Sequence, residues 1–181
     1  MQIPFTAYAD DCTVTGEVAL PGDRLSDFLT STVEFDLRKA AFHALDDGRV
    51  VEADSAAVLR DDLCVVVASG PRGSQARRLW TRQYPVRARV GPYVVLGYLH
   101  APPTVDPFLS TDRRPIVALT GCTVEYAEAG SVVRFESDAV LLNTRKIEKL
   151  EAASDQDVGL APKVELEVPI DSRAKDFTGA H

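Results

Sequence analysis

Cysteine and histidine are scarce in this sequence, and their shortage argues against a metal centre or a disulfide framework. Three cysteines and three histidines occur among 181 residues. None forms a CxxC or HxxxH pair, the spacings that place two ligands on one metal. We therefore predict no cofactor, no metal site and buried free thiols. The residues are Cys12, Cys64, Cys122, His43, His100 and His181.

Long apolar runs are also missing. No stretch approaches the roughly 18 apolar residues that cross a bilayer as a helix. The opening segment, MQIPFTAYADDC, lacks the basic and apolar regions of a signal peptide. Together with the free thiols, these absences predict a soluble, cytoplasmic protein without membrane contact.

Basic charge is in short supply over most of the chain. The 20 lysines and arginines face 27 acidic residues, which gives a net charge of −7 and a pI near 5.0. This balance argues against nonspecific binding of the whole surface to nucleic acid or anionic lipid. It leaves room for a local basic patch.

Recognisable catalytic motifs are absent as well. The sequence contains no GxSxG, no Walker phosphate loop and no HExxH. Ser26 and Asp27 are adjacent, but a Ser-His-Asp site would also need His43 or His100 nearby. We predict that the protein is not an enzyme, with a catalytic site that leaves no motif as the alternative.

The sequence does contain an internal repeat. Residues 37–59 and 119–141 align without gaps, and eight of the 23 positions are identical. Turn, strand and helix signals follow in the same order, which predicts modules at 13–68 and 94–150 joined by 69–93. Coincidence between two valine-rich segments is the alternative. The identical pairs are Leu37/Leu119, Gly48/Gly130, Val50/Val132, Val51/Val133, Ser55/Ser137, Ala57/Ala139, Val58/Val140 and Leu59/Leu141.

Each module follows the pattern of strand, short helix, then several strands. Residues 13–20 alternate apolar and polar, which is typical of a half-buried strand. Leu25, Phe28 and Leu29 form one apolar helix face after Asp23, the expected N-cap. The predicted fold is mainly β, with two tandem small β-barrel or β-roll modules, each carrying one short helix and related by internal duplication.

The tail, 151–181, contains one further strand pattern. Apolar and charged residues alternate over 163–170 (KVELEVPI). This strand is expected to pair within its own fold; the alternative is addition to a neighbouring chain.

One segment of the first module resembles known proteins. The run RLSDFL at 24–29, with AVLLNTRKI at 139–147 in the second module, resembles uncharacterised bacterial proteins that carry an RLSDFLN-type segment in a small β-rich domain. The second module has Thr104-Val105-Asp106-Pro107 in place of RLSD. The resemblance implies a fold and no particular activity.

An arginine block lies between the modules. Residues 71–92 carry six arginines and no acid, so the rest of the chain has a charge of −13 against the total of −7. Interleaved Trp80 and Tyr84 would suit base stacking beside phosphate contacts. The predicted binding residues are Arg77, Arg78, Trp80, Arg82, Arg87 and Arg89.

Three interpretations of the block remain open. The arginines neutralise the acidic modules, dock a protein partner, or bind a nucleotide or nucleic acid. Arg78 and Arg82 form an RxxxR spacing that resembles the arginine motif of cyclic-dinucleotide-binding PilZ domains, although the companion D/N-x-S-x-x-G motif does not follow. The leading prediction is a non-catalytic binding or scaffold protein that recognises a protein partner or forms a homo-oligomer.

Overall fold

The computed structural model describes residues 1–22, 24–71, 81–111 and 114–158, and these form one antiparallel sheet with two short helices. The helices are α1 (Leu25–Ser31) and α2 (Pro107–Thr111). The strands are β1 (Gln2–Ala9), β2 (Cys12–Ala19), β3 (Glu34–Ala44), β4 (Val50–Leu59), β5 (Leu63–Val67), β6 (Arg82–Val90), β7 (Tyr93–Ala101), β8 (Ile116–Glu128), β9 (Ser131–Asn143) and β10 (Ile147–Ala152). Single 3₁₀ turns at Arg60–Asp62 and Thr144–Lys146 precede β5 and β10.

Strand order is the same in the two halves of the sheet. The full order is β10-β6-β7-β8-β9-β5-β1-β2-β3-β4. In each half four strands follow one another as a meander, and the fifth returns to pair with the first. The halves meet where β5 pairs with β9, so β10 and β4 are the two outer strands.

The predicted barrels are wrong, because the sheet is open. Among the described strands, β4 does not pair with β5 and β9 does not pair with β10, so neither half closes on itself. The mainly β class is confirmed. Closure depends on long-range pairing between the ends of a meander, which the local pattern of alternation does not encode.

Local patterns explain the individual elements. Along β7, Tyr93, Val95, Leu99 and Ala101 are buried at alternating positions, as expected for a strand with one face against a core. Leu25 and Leu29, four residues apart, are the buried face of α1. Asp23, the predicted N-cap, and the predicted tail strand at 163–170 lie outside the described residues.

A bulge recurs at the same place in both halves. The register between β2 and β3 shifts after Thr15, and that between β7 and β8 shifts after Leu96. The bulged residues, Lys39 and Gly121, both have positive φ, 48° and 57°. When the two bulges are superposed, each residue of β1 and β2 corresponds to the residue 81 positions later, in β6 and β7. Each residue of β3 corresponds to the residue 82 positions later, in β8.

The correspondence changes at the hairpin that joins β3 to β4. Six residues separate the paired residues His43 and Val50, whereas eight separate their counterparts Glu125 and Arg134. From β4 onward, each residue of the first half therefore corresponds to the residue 84 positions later in the second half. The identities found in the sequence at 48–59 lie two residues out of this structural register.

Each half has its own apolar core, and the cores lie on opposite faces at the junction. Of three consecutive residues in β9, Leu141 belongs to the first core while Val140 and Leu142 belong to the second. In β5, Val66 faces the first core and Val65 the second. Since side chains alternate across a strand, one pair of strands serves both cores.

Candidate functional site

Half of the predicted arginine site lies on a described strand. Arg82, Arg87 and Arg89 are exposed residues of β6, which lies within the segment predicted as a connection. The other three predicted residues, Arg77, Arg78 and Trp80, lie outside the described residues. The sheet therefore places the described part of the block one strand in from the outer strand β10.

Four charged side chains line a shallow cavity on this face. Register pairs Arg89 with Lys149 and Arg87 with Glu151, and Val94 supplies the apolar wall. The cavity measures about 190 Å³. Lys149 Nζ lies 2.6 Å from Glu151 Oε2, and this hydrogen bond, with Arg87 nearby, lowers the pKa of Glu151. Three cations and one carboxylate leave a net charge of +2, which suits an anionic group.

The outer strand β10 is short and charged. It has six residues, including the exposed Glu148 and Lys149, and its pairing with β6 is interrupted between Ile147 and Lys149. Charge, shortness and bulges are features that protect a sheet edge from pairing with another chain.

The opposite outer strand, β4, lacks most of this protection. It has ten residues and pairs with β3 without a register shift. Val50, Val51 and Leu59 are 46%, 57% and 44% exposed. Such an edge presents unpaired backbone groups beside apolar side chains and can accept an extended strand. No sequence pattern pointed to this site, because nothing local shows that β5 pairs with β9 instead of β4.

A buried polar cluster fixes β5 against β9. The amide nitrogen of Asn143 donates to the carbonyl oxygen of Leu63 at 2.9 Å and to that of Arg60 at 3.3 Å. Arg60 and Arg145 both contact the Asp61 carboxylate, and Arg60 contributes most to lowering the pKa of Asp61. These contacts satisfy buried polar groups and are structural.

Tyr8 of β1 closes the second core. Its ring centroid lies 5.5 Å from Tyr93, 5.5 Å from Tyr126 and 5.2 Å from Phe135. Burial raises the pKa of Tyr8 to about 12, so the phenol remains neutral. The cluster is a packing contact between the halves.

The thiols are poor nucleophiles. Burial raises the pKa of Cys12 to about 11 and those of Cys64 and Cys122 to about 12, so all three remain protonated at neutral pH. The described part of the chain holds no group of three or more His, Cys, Asp or Glu side chains arranged for a metal ion.

One histidine contacts hydroxyl groups. His100 Nε2 lies 2.7 Å from Thr120 Oγ1, and Nδ1 lies 3.4 Å from Thr81 Oγ1. Within the described ranges no carboxylate hydrogen-bonds to this ring, so the third member of a triad is not assembled there. Ser26 and Asp27 lie on α1.

The chain matches no protein-family model, no curated protein and no solved structure. No helix in the described ranges has the length and apolar character to cross a membrane. Among the described residues, the outer strands and the cavity beside β10 are the exposed features suited to binding.

Proposed function

We propose that the protein is a non-catalytic binding module that accepts an extended segment of a partner protein along β4. The open, exposed edge of β4 is the observation that carries this proposal. Exposed valines there supply apolar contact, while main-chain groups supply the hydrogen bonds of an added strand. A cytoplasmic setting agrees with three free cysteines.

The counterpart of β4 supports the proposal. We infer that the two halves arose by tandem duplication, on the common strand order and the common bulges. In the second half, β9 receives β5 in antiparallel register, from Val65 opposite Leu142 to Val67 opposite Val140. The corresponding stretch of β4, 56–58, pairs with β3 on one side, and no described strand pairs with it on the other.

Charge at the middle of β4 indicates which segments fit. Glu52 and Asp54 are exposed, and neither forms an ion pair with another described residue. Like charges opposite one another destabilise a strand pair, whereas opposite charges stabilise it. The expected partner segment therefore alternates apolar residues with at least one lysine or arginine opposite these carboxylates.

Selection from a displayed library of extended peptides tests the proposal. We expect enriched peptides to be apolar-alternating and basic, and to lose binding when the β4 edge carries Val51→Lys. Val132→Lys, at an 81% exposed valine of β9, is the matched control and should bind as well as wild type. Equal loss in both variants, or no enrichment, would contradict strand addition at β4.

A second candidate function is supported by the cavity beside β10. We propose as the alternative that Arg87, Arg89 and Lys149 bind a phosphate group of a nucleotide or nucleic acid. A native-state ligand at 100 times its Kd stabilises by about 2.7 kcal/mol. Thermal unfolding at low salt against nucleotides, cyclic dinucleotides and short oligonucleotides tests this.

The control for the second candidate removes the same charge elsewhere. Arg87→Ala with Arg89→Ala should abolish the stabilisation, whereas Arg38→Ala with Arg134→Ala, at exposed positions of β3 and β9, should keep it. No shift with any of these ligands would leave the arginines as neutralising or protein-docking groups.

A further inference from the structure

The two outer strands are the counterparts of the two strands that join at the middle. Leu63 lies opposite Ala9, and the register then shifts by one residue; Ile147 lies opposite Val90 with the same shift. Residues of β10 thus correspond to residues of β5 that lie 84 positions earlier in the chain. The same offset relates β9 to β4. In the geometry of the internal junction, β10 of one copy would add to β4 of a second copy, with Lys149 opposite Val58.

The internal junction depends on two apolar side chains. Val65 of β5 is fully buried, and Tyr8 of β1 stacks on Phe135 at 5.2 Å. Both belong to the first half and enter the core of the second. An added strand therefore contributes both hydrogen bonds and apolar groups that close the neighbouring core.

Cations occupy the corresponding positions at the outer edge. By the same correspondence, Arg89 replaces Tyr8 and Lys149 replaces Val65, and both are exposed. The acceptor differs too, because Tyr93 and Phe135 correspond to Cys12 and Val51 in the first half. Adding β10 to β4 would remove two cations from water without an aromatic cluster to receive them.

We propose that Arg89 and Lys149 close the β10 edge against the β4 edge of a second copy, so that the sheet ends after two halves and β4 remains available for a different polypeptide. This rests on the proposed function of β4. The partner segment supplies what β10 lacks, namely an apolar side chain at the position that Val65 occupies at the internal junction.

Removing the two cations tests the inference. Arg89→Tyr with Lys149→Val restores the residues of the internal junction, and a head-to-tail contact does not close on itself. We expect the weight-average mass in sedimentation to rise at least about twofold with concentration, the step of one added copy. Wild type should stay at a constant mass over the same range.

Two further variants make the result specific. Arg82→Tyr with Arg134→Val introduces the same residues at exposed positions of β6 and β9 and should leave the mass unchanged. Adding Ala57→Lys, at an exposed residue of the 56–58 stretch of β4, to the assembling variant should reverse the assembly. Assembly that survives Ala57→Lys uses another surface and overturns the proposal.

Other outcomes are equally decisive. A folded double variant that keeps the wild-type mass contradicts the inference, as does wild type that already assembles and stops when Ala57→Lys is introduced. Unfolding curves establish that each variant is folded; if the double variant is not, Lys149→Val alone replaces it. Peptide binding at β4 in wild type, without assembly of the variant, refutes this inference and leaves the proposed function intact. Failure of both refutes both.

Discussion

The two halves share a strand order but end differently. The second half has its core closed by Tyr8, Leu45 and Val65 of the first half. The first core receives Ile116 and Leu141 of the second half, but no described strand pairs with the outer side of its strand β4. Two halves with the same strand order therefore have different exposed edges. The edge of β9 is covered by β5, whereas the edge of β4 is available to a partner.

The largest expected effect comes from removing the side chain that closes the second core. Tyr8→Ala should destabilise the protein by about 3 kcal/mol, since truncating a large buried aromatic leaves a cavity. Its counterpart Arg89 is exposed, so Arg89→Ala should change stability by less than about 0.5 kcal/mol. Urea unfolding of the two variants measures the contrast, and equal costs would invalidate the residue correspondence.

A smaller effect is expected at the polar junction. Asn143→Ala removes the donor to Leu63 and Arg60 and should cost about 1–3 kcal/mol, because buried carbonyl oxygens lose their partner. Leu59, its counterpart, is 44% exposed, so Leu59→Ala should cost less than about 1 kcal/mol. The midpoints of urea unfolding check this order; a costlier Leu59→Ala would show that β4 is already covered.

The two bulges give a still smaller contrast. Gly121→Ala places a side chain at a φ of 57° with only ordinary contact to Tyr98, so it should destabilise by about 1 kcal/mol. Lys39→Gly relieves the same strain at a φ of 48° and should be neutral or stabilising by up to about 1 kcal/mol, although it loses an exposed ion pair with Glu17. Thermal unfolding measures the change in stability of each variant. Changes of the same sign in both variants would rule out a backbone strain common to the two bulges.

The smallest effect concerns pH. A hydrogen bond from Lys146 lowers the pKa of Asp10, and the corresponding residue of the second half is Gly91. A lowered carboxyl pKa adds stability above the unfolded value, near pH 4, and this is lost as pH falls through the folded value. The carboxylate is 56% exposed, so Asp10→Asn should cost less than about 1 kcal/mol at pH 7. Its difference from wild type should vanish at low pH; a difference that persists there would point to packing instead of charge.

Local alternation was enough to predict the β class, and the helical spacing of Leu25, Phe28 and Leu29 was enough to predict α1. Alternation failed for β1 and β6. In β6 the buried Val86, Ala88 and Val90 alternate with arginines. Because the segment is rich in arginine, it was predicted to be a connection between the modules and not a strand. The apolar period of a strand persists whatever the opposite face carries.

The candidate site was only partly predictable. The sequence singled out Arg87 and Arg89, but their neighbours Lys149 and Glu151 come from a strand about 60 residues away that only the sheet register brings alongside. The open edge of β4 left no local signal, since an edge is defined by the absence of a neighbour. The prediction of closed barrels was also wrong, because closure depends on contacts between distant segments.

The shared strand pair β5 and β9 also bears on how the protein unfolds. Because neighbouring residues of each strand belong to opposite cores, neither half can melt without withdrawing side chains from the other. The halves therefore behave as one cooperative unit, and a cut in the chain between β5 and β6 should leave a single unfolding transition. Backbone amides of Val65 to Val67 should exchange with solvent only when the entire sheet opens.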